Sequence, residues 1–134
     1  MHIDWTVLPR GDVHPSNSGI YVTMNRKGEI VMNGTTWHRS GAPAAYLVMY
    51  NQPNSLIGLK PTGVGIKNAY PARKQGRRDG RVVRAYRLLN QLGLKLPDTI
   101  EFRDAEIDQD GQIILDLRTA RVSPRAHSQC RKRS

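Results

Sequence analysis

The chain has 134 residues, 21 Lys and Arg against 11 Asp and Glu, a formal charge of +10 and a pI near 10.4. That length fits one domain or two very small ones, and an excess of this size repels itself in the compact state, so a polyanion is the natural partner. No apolar run approaches the ~18 residues that a membrane-spanning helix needs, the start MHIDWTVLPRGD interrupts any signal-peptide pattern with Asp4 and Pro9, and the single cysteine, Cys130, excludes an intrachain disulfide.

Residues 1–19 hold Pro9, Gly11, Pro15 and Gly19 and keep no period, which predicts an irregular, flexible arm. A first unit, 20–62, follows. Ile20 to Asn25 reads as a strand, Arg26-Lys27-Gly28 as a turn, and Glu29 to Met32 as a returning strand. Asn33 or Thr35 is placed to cap a short helix through Trp37 and Arg39 that ends at Gly41. Tyr46 to Tyr50 and Leu56 to Lys60 then read as a hairpin around Gln52-Pro53-Asn54-Ser55.

A second unit, 63–120, repeats the order. Ala69 to Lys74 is a predicted strand, Gln75 to Gly80 a basic turn, and Arg81 to Arg84 the return. Leu88, Leu89 and Leu92 form an apolar stripe for a helix over 85–92, closed by Gly93. Thr99 to Ile107 and Gln112 to Leu117 make the last hairpin around Gln109-Asp110-Gly111. Gly28 and Gly41 stand thirteen residues apart, as do Gly80 and Gly93, giving a period of 52. Residues 121–134, RVSPRAHSQCRKRS, predict a basic disordered tail, with Arg121, Arg125 and the final RKRS as further phosphate contacts or plain solvated charge.

The strongest local feature runs from Lys67 to Arg87. It holds Lys67, Arg73, Lys74, Arg77, Arg78, Arg81, Arg84 and Arg87 against one acid, Asp79. Arginine grips phosphate through a planar fork, so Arg77, Arg78 and Arg81 are the first candidate contacts, with Arg73, Lys74 and Arg84 next. The competing reading is a solvated loop whose charges pair with the acidic strand 104–110. Arg26 and Lys27 occupy the equivalent turn of the first unit. Under pseudo-twofold symmetry the two turns are expected to point the same way and share one basic surface. Arg39 suits a helix C-terminus whatever its function. Tyr70 and Tyr86 flank the basic stretch; both are read as core residues, with base stacking as the alternative.

Asp104, Glu106, Asp108 and Asp110 before Gly111 lack the carboxylate that a calcium loop requires six residues after its glycine, where Leu117 stands. Ile100 and Phe102 share the parity of these acids and Ile107 does not, which predicts a bulge near Arg103. His2, His14, His38 and His127 show no metal spacing, and no nucleophile–base constellation, phosphate loop or paired-acid motif occurs. No cofactor or metal is therefore expected, and no enzymatic activity.

VTMNRKGEIVMN, residues 22–33, and NQLGLKLPDTIEF, residues 90–102, resemble the opening strands and the helix-end segment of AbrB-like swapped-hairpin transition-state regulators. Two such units in one chain resemble the MraZ arrangement. The sequence departs from the family at Met32-Asn33-Gly34, where Ile-Pro is usual, in its shorter helix and in the enlarged turn KQGRRDG. The resemblance implies a homo-oligomer that lays basic turns on DNA. The expected protein is mainly β, two swapped-hairpin-like units each with a short helix in a small barrel-like body. It is expected to be cytoplasmic, to use no membrane, and to bind duplex DNA through Arg26, Lys27, Arg73, Lys74, Arg77, Arg78, Arg81 and Arg84 as a transcriptional regulator or accessory factor. RNA or ribonucleoprotein binding, and an antitoxin-like module docking an acidic partner, are the alternatives.

Overall fold

A computed structural model describes residues 19–76 and 79–122. The arm before Gly19, Arg77 and Arg78, and the tail after Val122 lie outside the described residues. Two antiparallel sheets and two short helices make a mainly β fold.

The opening hairpin is β1 (Val22–Met24) and β2 (Glu29–Met32). Its turn places Gly28 at φ +93°, a conformation that disfavours a Cβ. Helix α1 (Gly34–Arg39) follows, capped by Asn33, whose side-chain oxygen accepts from the Thr36 amide. Strands β3 (Ala45–Asn51) and β4 (Leu56–Thr62) form the second hairpin. The predicted strand 69–74 is two pieces, β5 (Tyr70–Pro71) and β6 (Arg73–Gln75), which join different sheets. Pro71 has no amide hydrogen to donate to a ladder, and at Ala72 the amide is taken by the Ala44 carbonyl while the chain crosses. Strand β7 (Gly80–Arg84) leads to α2 (Leu88–Leu92), shorter than predicted because Tyr86 and Arg87 form a turn before it, with Gly93 as its left-handed cap.

The predicted strand 99–107 is also divided. Strand β8 (Ile100–Glu101) pairs with β1, a turn falls at Arg103 and Asp104, and β9 (Glu106–Ile107) pairs with β10 (Ile113–Asp116) in the other sheet. The parity conflict near Arg103 is thus resolved by a change of sheet rather than by a bulge. Strand β11 (Arg121–Val122) closes the order against β8.

The first sheet runs β11-β8-β1-β2-β7-β6 and the second β5-β3-β4-β10-β9. Each draws a hairpin from either half of the chain, so β2 meets β7 in one sheet and β4 meets β10 in the other. In the first sheet the 52-residue period places a local twofold axis at the middle of the β2–β7 ladder, between the pairs Ile30↔Val83 and Val31↔Val82. The second hairpins are 56 residues apart: Gln52 accepts from Ser55 and Asp108 from Gly111. The second unit therefore carries four extra residues between its helix and its last hairpin.

The sheets are not closed into a barrel. Their inner faces share one core, with Met24, Ile30, Met32 and Val83 from the first and Tyr46, Ile57, Leu59, Ile113 and Leu115 from the second. Leu88, Leu89, Leu92 and Phe102 are part of the same core. Among the described residues no helix is long and apolar enough to cross a membrane.

Candidate functional site

The β2–β7 ladder fixes where the basic turns go. Glu29 faces Arg84 at one end and Met32 faces Arg81 at the other. The turn carrying Arg26 and Lys27 precedes Glu29, and the turn between β6 and β7 precedes Gly80. The two turns therefore lie at opposite ends of the sheet, separated by a ladder that alone spans roughly 10 Å. This corrects the expectation of one shared basic surface. A twofold axis through the middle of an antiparallel ladder exchanges its ends, so it sends the turns apart.

At the first pole Arg26, Lys27, Arg84, Tyr86 and Arg87 are all exposed. The β1–β2 turn lies directly on the chain after β7. The Ala85 amide donates to the Gly28 carbonyl at 3.1 Å, and a Cβ on Gly28 would stand 2.8 Å from the Ala85 carbonyl oxygen. Glu29 organises the side chains. It accepts from the Asn25 amide nitrogen at 2.8 Å and from the Tyr86 hydroxyl at 3.3 Å, and it pairs with Arg84 Nε at 3.5 Å.

At the second pole Arg73 and Lys74 are exposed on the edge strand β6. Arg73 stands opposite Val82 and Lys74 opposite Arg81, so they project to different faces. Arg81 is held more firmly. Its guanidinium carbon lies 3.6 Å from the Trp37 ring centroid, and Nη1 donates to the carbonyls of Asp79 and Gly80 at 2.9 and 3.0 Å. Trp37 is itself anchored, its Nε1 donating to the Pro43 carbonyl at 3.0 Å.

Next to this stack His38 Nε2 lies 3.0 Å from an Asp79 carboxylate oxygen. The hydrogen bond with His38 holds the Asp79 carboxyl below the usual carboxylate range; desolvation opposes it, and the charges of His38, Arg81 and Lys74 add to the lowering. Gly34 makes room for the turn, since a Cβ there would meet the Asp79 Cβ at 2.8 Å. Helix α1 thus clamps the root of the β6–β7 turn through Gly34, Trp37 and His38. Sequence reading missed this clamp because its members are 41 to 45 residues apart and no local pattern joins them.

The eight expected contact residues therefore divide. Arg26, Lys27 and Arg84 gather at one pole, Arg73, Lys74 and Arg81 at the other, and Arg77 and Arg78 fall outside the described residues. Among the described residues no ion pair joins the basic stretch to the acidic strand 104–110, and Arg77 and Arg78 lie outside those residues. Arg84 pairs with Glu29, and Arg118 with Asp116 at 3.1 Å. Tyr70 packs against the core as expected. Tyr86 does not; it is 50% exposed. Tyr86 lies in the turn before α2, so the leucine stripe of that helix does not place it. Among the described residues no three His, Cys, Asp or Glu side chains gather as metal ligands.

No protein family, curated protein or solved structure matches the chain.

Proposed function

We propose that this protein binds nucleic acid through phosphate contacts made by the two basic poles of the first sheet, with duplex DNA the form expected from the sequence and a regulatory or accessory role the use of that binding. One observation carries the reading. Residues 20–92 contain twelve Lys and Arg but only two acids, Glu29 and Asp79. Both acids are occupied, Glu29 by Asn25, Arg84 and Tyr86 and Asp79 by His38. Arg26, Lys27, Arg73, Lys74 and Arg87 take part in none of the ion pairs among the described residues. Exposed cations left uncompensated by their own fold attract a polyanion and release its counterions on binding.

The poles at opposite ends suit a ligand with phosphates spaced along its length.

Fluorescence anisotropy with a mixed-sequence duplex over a range of salt tests this reading. About six neutralised phosphates give a slope of log affinity against log salt near −5. A slope near zero overturns it.

A further inference from the structure

The first pole holds a feature that phosphate binding does not require. Tyr86 is half exposed, with Arg84 and Arg87 near it in the chain and the turn that carries Arg26 and Lys27 set against its backbone at Gly28. A large ring left in solvent beside a packed core forgoes the stabilisation that burial gives it. The surrounding structure fixes its place. Its hydroxyl donates to Glu29 Oε2, and the other Glu29 oxygen accepts from Asn25 Nδ2. The Asn25 side-chain oxygen in turn accepts from the amides of Lys27 and Glu29, each at 3.0 Å. Gly28 then brings the turn against the backbone of Ala85 and Tyr86, with a Cβ there only 3.3 Å from the Tyr86 Cα. Ring and turn are parts of one hydrogen-bonded unit, to which Arg84 is joined through Glu29.

Resting on the phosphate-binding reading above, we infer that Tyr86 is a stacking platform for an unpaired base, and that the first pole takes a single-stranded segment of nucleic acid. Arg26, Lys27, Arg84 and Arg87 hold the phosphates on either side while the base lies on the ring. Phosphate contacts alone do not distinguish strand forms, because both carry the same charge. A ring face does, because in a closed duplex the base faces are covered by their neighbours. Tying the hydroxyl to Glu29 limits the ring's rotation before the ligand arrives, which lowers the entropy lost on binding.

The test measures anisotropy at low salt with three fluorescent probes of equal phosphate number per strand: a twelve-nucleotide oligothymidylate, an abasic strand of the same length, and a twelve-base-pair duplex. Tyr86→Ala is expected to weaken oligothymidylate binding about tenfold and to leave the abasic strand and the duplex unchanged. Tyr86→Phe keeps the ring and is expected to retain most of the affinity. Tyr86→Leu keeps apolar bulk without a π face and is expected to behave as the Ala variant, which separates stacking from loss of packing. The inference is overturned if Tyr86→Ala leaves oligothymidylate binding intact, or weakens all three probes alike. In either of those cases a steep salt dependence leaves the phosphate reading standing. Failure of the unmodified protein to bind any probe overturns both.

Discussion

The guanidinium carbon of Arg81 lies over the indole of Trp37, 3.6 Å from its centroid, although the two residues are 44 positions apart. This contact joins α1 to the base of the β6–β7 hairpin. It also withdraws Arg81 from the pool of freely available cations, since two of its hydrogen bonds go to backbone carbonyls. Arg73 and Lys74, on the exposed edge, have no such engagement. Arg81→Ala is therefore expected to cost stability, about 1–2 kcal/mol from the stacked cation and its hydrogen bonds, with little change in the salt slope of binding. The double substitution Arg73→Ala, Lys74→Ala is expected to do the reverse, flattening the slope by nearly two while leaving the unfolding midpoint within a degree or two. Thermal melts and salt titrations on the same preparations check both halves.

Asp79 tethers the same hairpin to α1 through His38. Its carboxyl is held below its ordinary value of 3.8 by the His38 hydrogen bond. A depressed folded value means that the contribution is fully present above the unfolded value. It is lost as pH falls through the folded one. Local protection of the hairpin is therefore expected to hold at pH 5 and above and to weaken in the acid region below pH 4. Asp79→Asn removes this acid dependence. Hydrogen exchange at the Val82 and Val83 amides across that interval reads the difference, and identical acid profiles for the two proteins contradict the tether.

Tyr46 is the buried counterpart of these surface groups. Its side chain is fully enclosed, and burial pushes its hydroxyl up to about 12 against partial offsets from Ser40 and Arg81. The hydroxyl meets Ser40 Oγ at 2.6 Å and the sulfur of Met32 at 3.4 Å, so it ties α1's end and both sheets together. A raised folded value means stability that is complete below the unfolded value near 10 and lost as pH climbs from there through about 12. The interval corresponds to roughly 2–3 kcal/mol. Tyr46→Phe is expected to cost about 1 kcal/mol at neutral pH through the lost hydrogen bond and to abolish the part of the alkaline loss due to this residue. Chemical unfolding at pH 8 and pH 11.5 for both proteins measures it.

Much of this architecture is written in local chemistry. Asn33 ahead of Trp37 announced a capped helix, Gly93 after the leucine stripe announced its twin, and Gln52 to Ser55 announced a hairpin. The order strand, turn, strand, helix, hairpin is present twice. The sheet change at Ala72 was not legible, because a short segment that leaves one sheet for another keeps the composition of a strand on both sides of the crossing; at Arg103 the parity conflict marked a break but did not say that the chain changes sheet. The site was half legible. Charge marks the cations, but a sequence does not state on which end of a ladder a turn emerges. That depends on β2 pairing with β7, a choice made 50 residues apart.

Gly28 offers a direct check on the joint between the β1–β2 turn and the chain after β7. Its φ is +93°, and an added Cβ would stand 2.8 Å from the Ala85 carbonyl oxygen, a backbone atom that has no rotamer by which to move away. Gly28→Ala therefore combines backbone strain with a steric conflict, and a loss of roughly 2–4 kcal/mol is expected. Gly63 is the matched control. It has open space where its Cβ would be and no positive φ, so Gly63→Ala is expected to be neutral or to stabilise by up to about 1 kcal/mol through the unfolded chain. Because the Gly28 joint also sets Tyr86 against Arg26 and Lys27, Gly28→Ala is expected to weaken oligothymidylate binding even where the protein remains folded. Equal unfolding midpoints for the two variants contradict the close contact between turn and chain on which the first pole is built.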